Sequence, residues 1–276
     1  MSEGVMVRGL VLGGRARVLA VVADATAQEI VSAHGLTGAA AQLCAQGVVA
    51  TLLMSAHVKG EERLMVQVQA SQPRFAFHGE ARADGSVRAR LSPSWIPRLD
   101  RVEGVLMAIK WDGNTELYRG AAELRESFEA SLQEYLVSSQ QTHGVVRMCV
   151  KVDEDGRVRV ASGLLVEMLG GQMEAAAFEP LIEPLRGAEM GEVMTGFAFG
   201  QLLGGPVEVL ESRPVTLRRT TQARVEAMLR GLGAPELRAL IEEQGSASVT
   251  CQFTNETFTV DKDRLVELVQ ELEAPV

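Results

Sequence analysis

The sequence predicts an α+β protein: a large antiparallel-sheet domain with packed helices over residues 1–169, an acidic short-helix linker over 170–213, and a small α+β domain over 214–276. Three observations predict it. Strand-length apolar segments recur between 64 and 165 in hairpin order, joined by turn residues rather than by the helices a βαβ series needs. Between Glu29 and Lys59 no Asp, Glu, Lys or Arg occurs, which marks a helix meant for the inside of a domain. From Gly170 to Glu211 the one basic residue is Arg186, against Glu174, Glu179, Glu183, Glu189, Glu192, Glu208 and Glu211.

Taken in chain order, Asp24 to Gly35 reads as a short helix. Thr26 and Glu29 have capping-box spacing, Ile30 and Val31 give an apolar side, and Gly35 closes it. Ala39 to Ala56 is long enough to cross a bilayer, but Gln42, Gln46, Gly47, Thr51 and Ser55 make insertion poor, so a buried central helix is expected. Leu64, Val66, Val68 and Ala70 alternate with polar or longer residues as a strand, followed by Phe75, Phe77 and the stretch from Val87 to Leu91. Val105 to Trp111 and Thr115 to Gly120 flank Asp112-Gly113-Asn114 as a hairpin. A helix is expected over 124–139, then a second hairpin of Val145 to Val152 and Arg157 to Leu165. In the linker, Pro180 and Pro184 restrict helices to short pieces, because an interior proline costs about 3 kcal/mol. Such a segment is held by docking, with Met173, Leu181, Ile182, Leu185, Met194, Phe197, Leu202 and Leu203 able to cover a sheet. Beyond it, Val225 to Gly231 and Pro235 to Gln244 read as helices. Val249, Cys251 and Phe253 alternate as a strand, Phe258 and Val260 as the next, and Asp261 N-caps a last helix carrying Leu265, Leu268, Val269 and Leu272.

The composition is 46% hydrophobic and only 4% aromatic, which fits a folded chain with an aliphatic core. A net charge of -9 without a Lys/Arg cluster argues against nucleic acid as a partner. Cys44, Cys149 and Cys251 give no disulfide framework, and no secretory signal is evident near the start, so a cytoplasmic protein without a membrane partner is expected. His34, His57, His78 and His143 are scattered, and no metalloprotease, nucleophile-elbow or phosphate-loop motif occurs. Gly9-Leu10-Val11-Leu12-Gly13-Gly14 lacks the third glycine and the preceding strand of a dinucleotide loop. No enzyme activity and no cofactor are expected.

Short motifs then follow one another along the chain: Val7-Arg8-Gly9, Lys59-Gly60-Glu61, Tyr118-Arg119-Gly120, Tyr135-Leu136-Val137-Ser138-Ser139-Gln140-Gln141-Thr142, Leu202-Leu203-Gly204-Gly205 and Leu210-Glu211-Ser212-Arg213-Pro214-Val215. Pro214 to Val225 and Val249-Thr250-Cys251-Gln252-Phe253-Thr254 complete the series. In order and spacing the chain resembles the 33 kDa heat-shock proteins, the redox-regulated holdase chaperones. At Tyr118-Arg119-Gly120 the chain departs from that family, which usually has a Tyr-Gln-Gly.

The resemblance implies a linker packed over the N-terminal domain and involved in gripping unfolded clients. It also implies one zinc held by a Cys-x-Cys and a Cys-x-x-Cys pair, whose positions here are Arg218, Thr220, Cys251 and Thr254. Only one thiol survives. A structural zinc takes four sulfur or imidazole ligands, no histidine follows His143, and the fixed charge of Arg218 repels a dication, so no metal is expected. The tail must then fold without the order of 10 kcal/mol that such a metal contributes, on a cluster of Val249, Cys251, Phe253, Phe258, Leu265, Leu268 and Leu272. Cys251 is read as an inert apolar residue rather than a sensor, and Cys44 and Cys149 as core. Met148, Met168, Met173, Met190 and Met194 gather near the domain junction, where thioethers serve either core filling or a surface accepting many partners. The implied function is an ATP-independent holdase for unfolded or aggregation-prone proteins, uncoupled from zinc and thiol control, with a homodimer as a further implied partner. The alternative is a non-catalytic interaction module on the same fold serving one protein partner.

Overall fold

A computed structural model of the chain describes residues 4–97, 102–138, 141–171, 173–188 and 198–274. It divides into two compact units, Met1–Leu217 and Arg218–Val276. The first unit opens with a hairpin of β1 (Gly4–Val11) and β2 (Ala16–Val22), turned by Leu12, Gly13 and Gly14 at φ of 55°, 65° and 82°. The stretch over residues 9–14 is therefore a strand end and a hairpin turn, so a strand does precede its glycine pair, contrary to the sequence expectation. A strand follows it instead of the helix that a phosphate site requires.

Helix α1 (Asp24–Ala33) follows and stops at Gly35, whose φ of 58° suits the left-handed close. Thr26 does not cap it. Thr26 lies inside the helix, and its buried hydroxyl donates to Val215 O at 3.0 Å. Helix α2 (Gly38–Met54), extended by a single 3-10 turn at Ser55–His57, is the axis of the unit. The Gly38–His57 stretch passes the length and polarity test for a membrane span, yet 83% of its apolar window is buried inside the fold, so it is a core helix. Its small residues permit that position. A Cβ on Gly47 would lie 2.4 Å from the Phe77 ring, and one on Gly79 of the facing strand 2.2 Å from Thr51 Oγ1. Gln42 also ties α2 to the sheet, donating to Val150 O at 2.8 Å and accepting from Val152 N at 3.1 Å.

The remaining strands are β3 (Arg63–Gln72), β4 (Arg74–Arg82), β5 (Ser86–Ser92), β6 (Glu103–Asp112), β7 (Thr115–Arg125), β8 (Gly144–Val152), β9 (Val158–Met168) and β10 (Glu208–Leu217). They form one ten-stranded sheet ordered β7-β6-β3-β4-β5-β10-β1-β2-β9-β8. Its pairings are antiparallel except for the short β10–β5 contact, Thr216 with Ser86 and Leu217 with Val87. Both expected hairpins are present, turned at Gly113 (φ 54°) and Gly156 (φ 85°). Helix α3 (Phe128–Ser138) starts four residues later than expected because β7 runs on to Arg125, which pairs with Glu103. It packs against both β7 and β8, the two ends of the sheet, so the sheet curls round α2.

Two further helices of the first unit are α4 (Ala175–Arg186) and α5 (Phe199–Leu202); the second unit holds α6 (Gln222–Arg230), α7 (Ala234–Glu243), the hairpin β11 (Ala247–Thr250) and β12 (Thr257–Val260), and α8 (Lys262–Glu273). Asp261 caps α8 as expected, accepting from Arg264 N at 2.9 Å. The core differs from the expected cluster. Leu265 and Leu268 are in it, but its other buried members are Val225, Leu229, Leu237, Ala247, Val260 and Val269, with Val249 and Phe258 packed against them. Leu272 is exposed, and β11 ends at Thr250, so Cys251 and Phe253 lie in a turn instead of on the strand.

Candidate functional site

Strands with one buried face show alternation, but β2 and β9 do not. Ala16, Val18, Leu19, Ala20 and Val21 are all buried, as is the whole run from Ala161 to Glu167. Leu19, Val21 and Leu165 point to the core around α2, whereas Val18, Ala20, Leu164 and Val166 face the other way. Near-continuous apolar runs mark strands covered on both faces. The second cover comes from helices between β9 and β10, in the segment expected to be a linker.

Helix α4 (Ala175–Arg186) presents Phe178, Ile182 and Leu185, spaced four and three residues apart and each 0% exposed, to that outer face. Phe199 of the short helix α5 (Phe199–Leu202) and the adjacent Leu203 complete the seal. The two prolines do not break α4 as the sequence suggested. Pro180 and Pro184 are both inside one twelve-residue helix, on its exposed side, where the carbonyls left without partners belong to exposed Ala176 and Pro180. Arg147 of β8 holds its C-terminal end, donating to the carbonyls of Leu185 and Arg186 and, at 3.2 Å, to Ala188 O. This clasp satisfies the free carbonyls and sets a cation at the negative helix end. No sequence signal singled out Arg147.

Of the five methionines, Met168 and Met173 pack at this seal, while Met148 packs against the core around α2. Met190 and Met194 lie outside the described residues, as do Phe197, Ser139 and Gln140 of the motifs. Leu181 packs beside the seal, and Leu202 is partly exposed.

Three of the four positions that the resemblance assigns to zinc converge in the second unit. Cys251 Sγ accepts from Thr220 Oγ1 at 3.1 Å, from the Thr254 hydroxyl and from the N–H groups of Phe253 and Thr254. Burial alone pushes this thiol up, but those hydrogen bonds outweigh it and hold it below the ordinary cysteine value. Cys251 is half-buried and polar in its surroundings, which corrects the reading of an inert apolar residue. The Thr254 hydroxyl also reaches Glu256 Oε2 at 3.1 Å, with a single hydrogen to give. Arg219, next to the half-buried Arg218, pairs with the other oxygen of Glu256. One thiol, two hydroxyls and a guanidinium are not a donor set for zinc, and among the described residues no group of three or more His, Cys, Asp or Glu is placed to hold a metal. By contrast Cys44 is fully buried on α2, and burial pushes its thiol up to about 12, so it is inert. Cys149 is half-buried beside the seal.

Comparison with known proteins agrees with this architecture. A solved structure of the 33 kDa chaperonin (heat shock protein 33 homolog) of Thermotoga maritima superposes with a TM-score of 0.79 at 17% identity, covering 98% of this chain and 99% of that one. Curated 33 kDa chaperonins of Bacillus subtilis and Citrifermentans bemidjiense are 26% and 29% identical, over 94% and 97% of this chain and 96% and 97% of their own lengths. The family model described as Hsp33 protein matches residues 4–261. With a fold and a family profile that agree over nearly the whole length, the chain belongs to the Hsp33 family of chaperones.

Proposed function

We propose that the protein is an ATP-independent holdase of the cytoplasm, which binds exposed apolar segments of unfolding proteins on the sheet face now covered by α4 and α5, without control by zinc or thiol chemistry. The observation that carries this reading is the seal itself. Phe178, Ile182 and Leu185 contribute about 1.5–3 kcal/mol each by burial. Against them, each interior proline costs the helix about 3 kcal/mol relative to alanine, and a helix this short is marginal in water without its dock. Gains and losses of the same order leave a cover that opens at modest cost. Opening uncovers a contiguous aliphatic face on β1, β2, β8 and β9, suited to any extended apolar segment. The acidic residues of α4 stay with the complex and favour its solubility.

Redox independence rests on the donor set around Cys251, which offers no second thiol with which to close a disulfide: Cys44 and Cys149 belong to the other unit. The test is light scattering of a chemically denatured client diluted into the protein at ambient temperature and after warming. Suppression of aggregation that rises on warming and is unchanged by peroxide is expected; no suppression in either state would remove the proposal.

A further inference from the structure

A cavity of about 510 Å3 opens between the two ends of the curled sheet, beside α3 and the turn that ends α2. Its apolar walls include Leu64 of β3, Leu117 of β7, Leu132 and Leu136 of α3, Val146 of β8 and Leu165 of β9. It shares no wall residue with the seal under α4 or with the turn at Cys251. Small-molecule sites have volumes of roughly 300–1,000 Å3 and join an apolar lining to a few placed polar groups. Here the charged groups of the lining are Arg17, Lys59 and Lys110 against Glu62.

Arg17 is anchored from below. Its Nε and Nη2 donate to Glu167 Oε2 at 3.1 and 2.7 Å, and the Glu167 side chain is only 1% exposed. Arg17 Nη2 also lies 3.2 Å from His57 Nδ1; since a guanidinium has donors only, Nδ1 is the bare nitrogen and His57 Nε2–H donates to Glu167 Oε1 at 3.0 Å. The arrangement fixes the guanidinium plane while leaving Nη1 without a protein acceptor among the described residues. Across the lining, Glu62 takes Lys110 Nζ at 3.3 Å and the Lys59 N–H at 3.0 Å. The exposed ammonium of Lys59 has no protein acceptor among the described residues. Glu167 faces Arg17, and Glu62 lies in the field of both Lys110 and Lys59, so three cations meet two carboxylates and the lining keeps a net single positive charge together with a free guanidinium N–H pair.

We propose that this cavity binds an amphipathic monocarboxylate, an unbranched aliphatic acid whose chain lies against the leucine and valine walls. Its two carboxylate oxygens accept from Arg17 Nη1 and Lys59 Nζ. A single negative charge matches the net single positive charge, whereas a dianion such as a phosphate ester would bring its second charge up to Glu62. The ligand bridges strands from both ends of the sheet and α3, so binding stabilises the first unit by linkage.

The experiment is calorimetric titration of the full chain with decanoate, decanol and butyrate, repeated on Lys59→Glu and Leu117→Glu. Lys59 is exposed and Leu117 is half-exposed, so both variants keep the fold, as a circular-dichroism melt checks. Expected are saturable binding of decanoate at one site per chain, and affinity lower by about tenfold or more for decanol and for Lys59→Glu, the weight of a hydrogen bond to a charged group. Butyrate and the Leu117→Glu variant lose affinity through the tail. Absence of saturable decanoate binding overturns the proposal. So does binding that Lys59→Glu leaves unchanged, since that places the acid on another apolar surface, such as the face beneath α4.

Discussion

Replacing Phe178 with alanine separates docking of the linker from the integrity of the domain. The ring is 0% exposed and belongs to the outer-face cluster, not to the core around α2. Phe→Ala at such a site costs about 3–5 kcal/mol. The docked state of α4 carries that loss, because the undocked helix makes no contact with the ring's socket and has little stability of its own to lose. At about 1.4 kcal/mol per factor of ten, the population of open cover rises by roughly two to three and a half powers of ten. The first measurement is the rate of limited proteolysis within 173–188, expected to increase by that factor at a protease concentration where cleavage follows the open population. The second is light scattering of a denatured client at ambient temperature, where the variant should suppress aggregation as the wild type does only on warming. Faster cleavage with no gain in suppression would refute the assignment of the covered face as the client surface. Unchanged cleavage would refute the energetics of the seal.

Pro184→Ala restores a backbone N–H to an exposed position of α4 and is expected to strengthen docking by up to about 3 kcal/mol, read as slower cleavage of the linker and weaker suppression on warming. Burial pushes the Glu167 carboxyl up, but His57 and Arg17 hold it below the ordinary glutamate value, so its stabilising contribution is present above about pH 4.3 and fades as pH falls through the lower folded-state value. Glu167→Gln should therefore flatten the acid limb of the stability profile of the first unit while costing about 1.5–3 kcal/mol at pH 7, measured by urea titration. Freshly purified protein is expected to carry no stoichiometric zinc by elemental analysis, and chelator should leave the circular dichroism of the second unit unchanged; bound zinc lost together with that signal would contradict the donor-set argument at Cys251.

The α+β class, the hairpins at 112–114 and 153–156 and the buried α2 were legible because each rests on a local rule: turn residues with positive φ, period-two alternation, and a long uncharged run. What was not legible depended on partners far along the chain. Residues 208–217 became β10 because β1 supplies its ladder, although most of its side chains are exposed and give no strand pattern. Thr26, read as a cap, was drawn into the helix by a carbonyl 189 positions away. The prolines of α4 were read by an intrinsic rule, and burial of Phe178, Ile182 and Leu185 overrode it. At Cys251 the alternation of Val249, Cys251 and Phe253 predicted a strand face, but the turn at Asn255, with φ 54°, ends the hairpin early and aims the N–H groups of Phe253 and Thr254 at the sulfur.

That turn raises the question of what holds the second unit together. Its surface carries a network in which Arg264 reaches Glu226, Glu267 and Glu271, and Arg230 also pairs with Glu271. Exposed pairs of this kind are screened by salt and contribute little, so the network does not replace a metal. Hydrogen bonds onto the thiol of Cys251 orient the turn but are too few to do so either. The buried side chains are a different matter. Val225, Leu229, Leu237, Val260, Leu265, Leu268 and Val269 are each within a few per cent of full burial, and at about 1.5–3 kcal/mol apiece their gross contribution matches or exceeds the order of 10 kcal/mol of a structural zinc. The sequence anticipated four of these seven, Val260 on the second strand and Leu265, Leu268 and Val269 on the last helix; the other three, Val225, Leu229 and Leu237, come from α6 and α7. On that ground we expect the unit to fold without a metal, and removing Cys251 from it to cost no more than a few local hydrogen bonds.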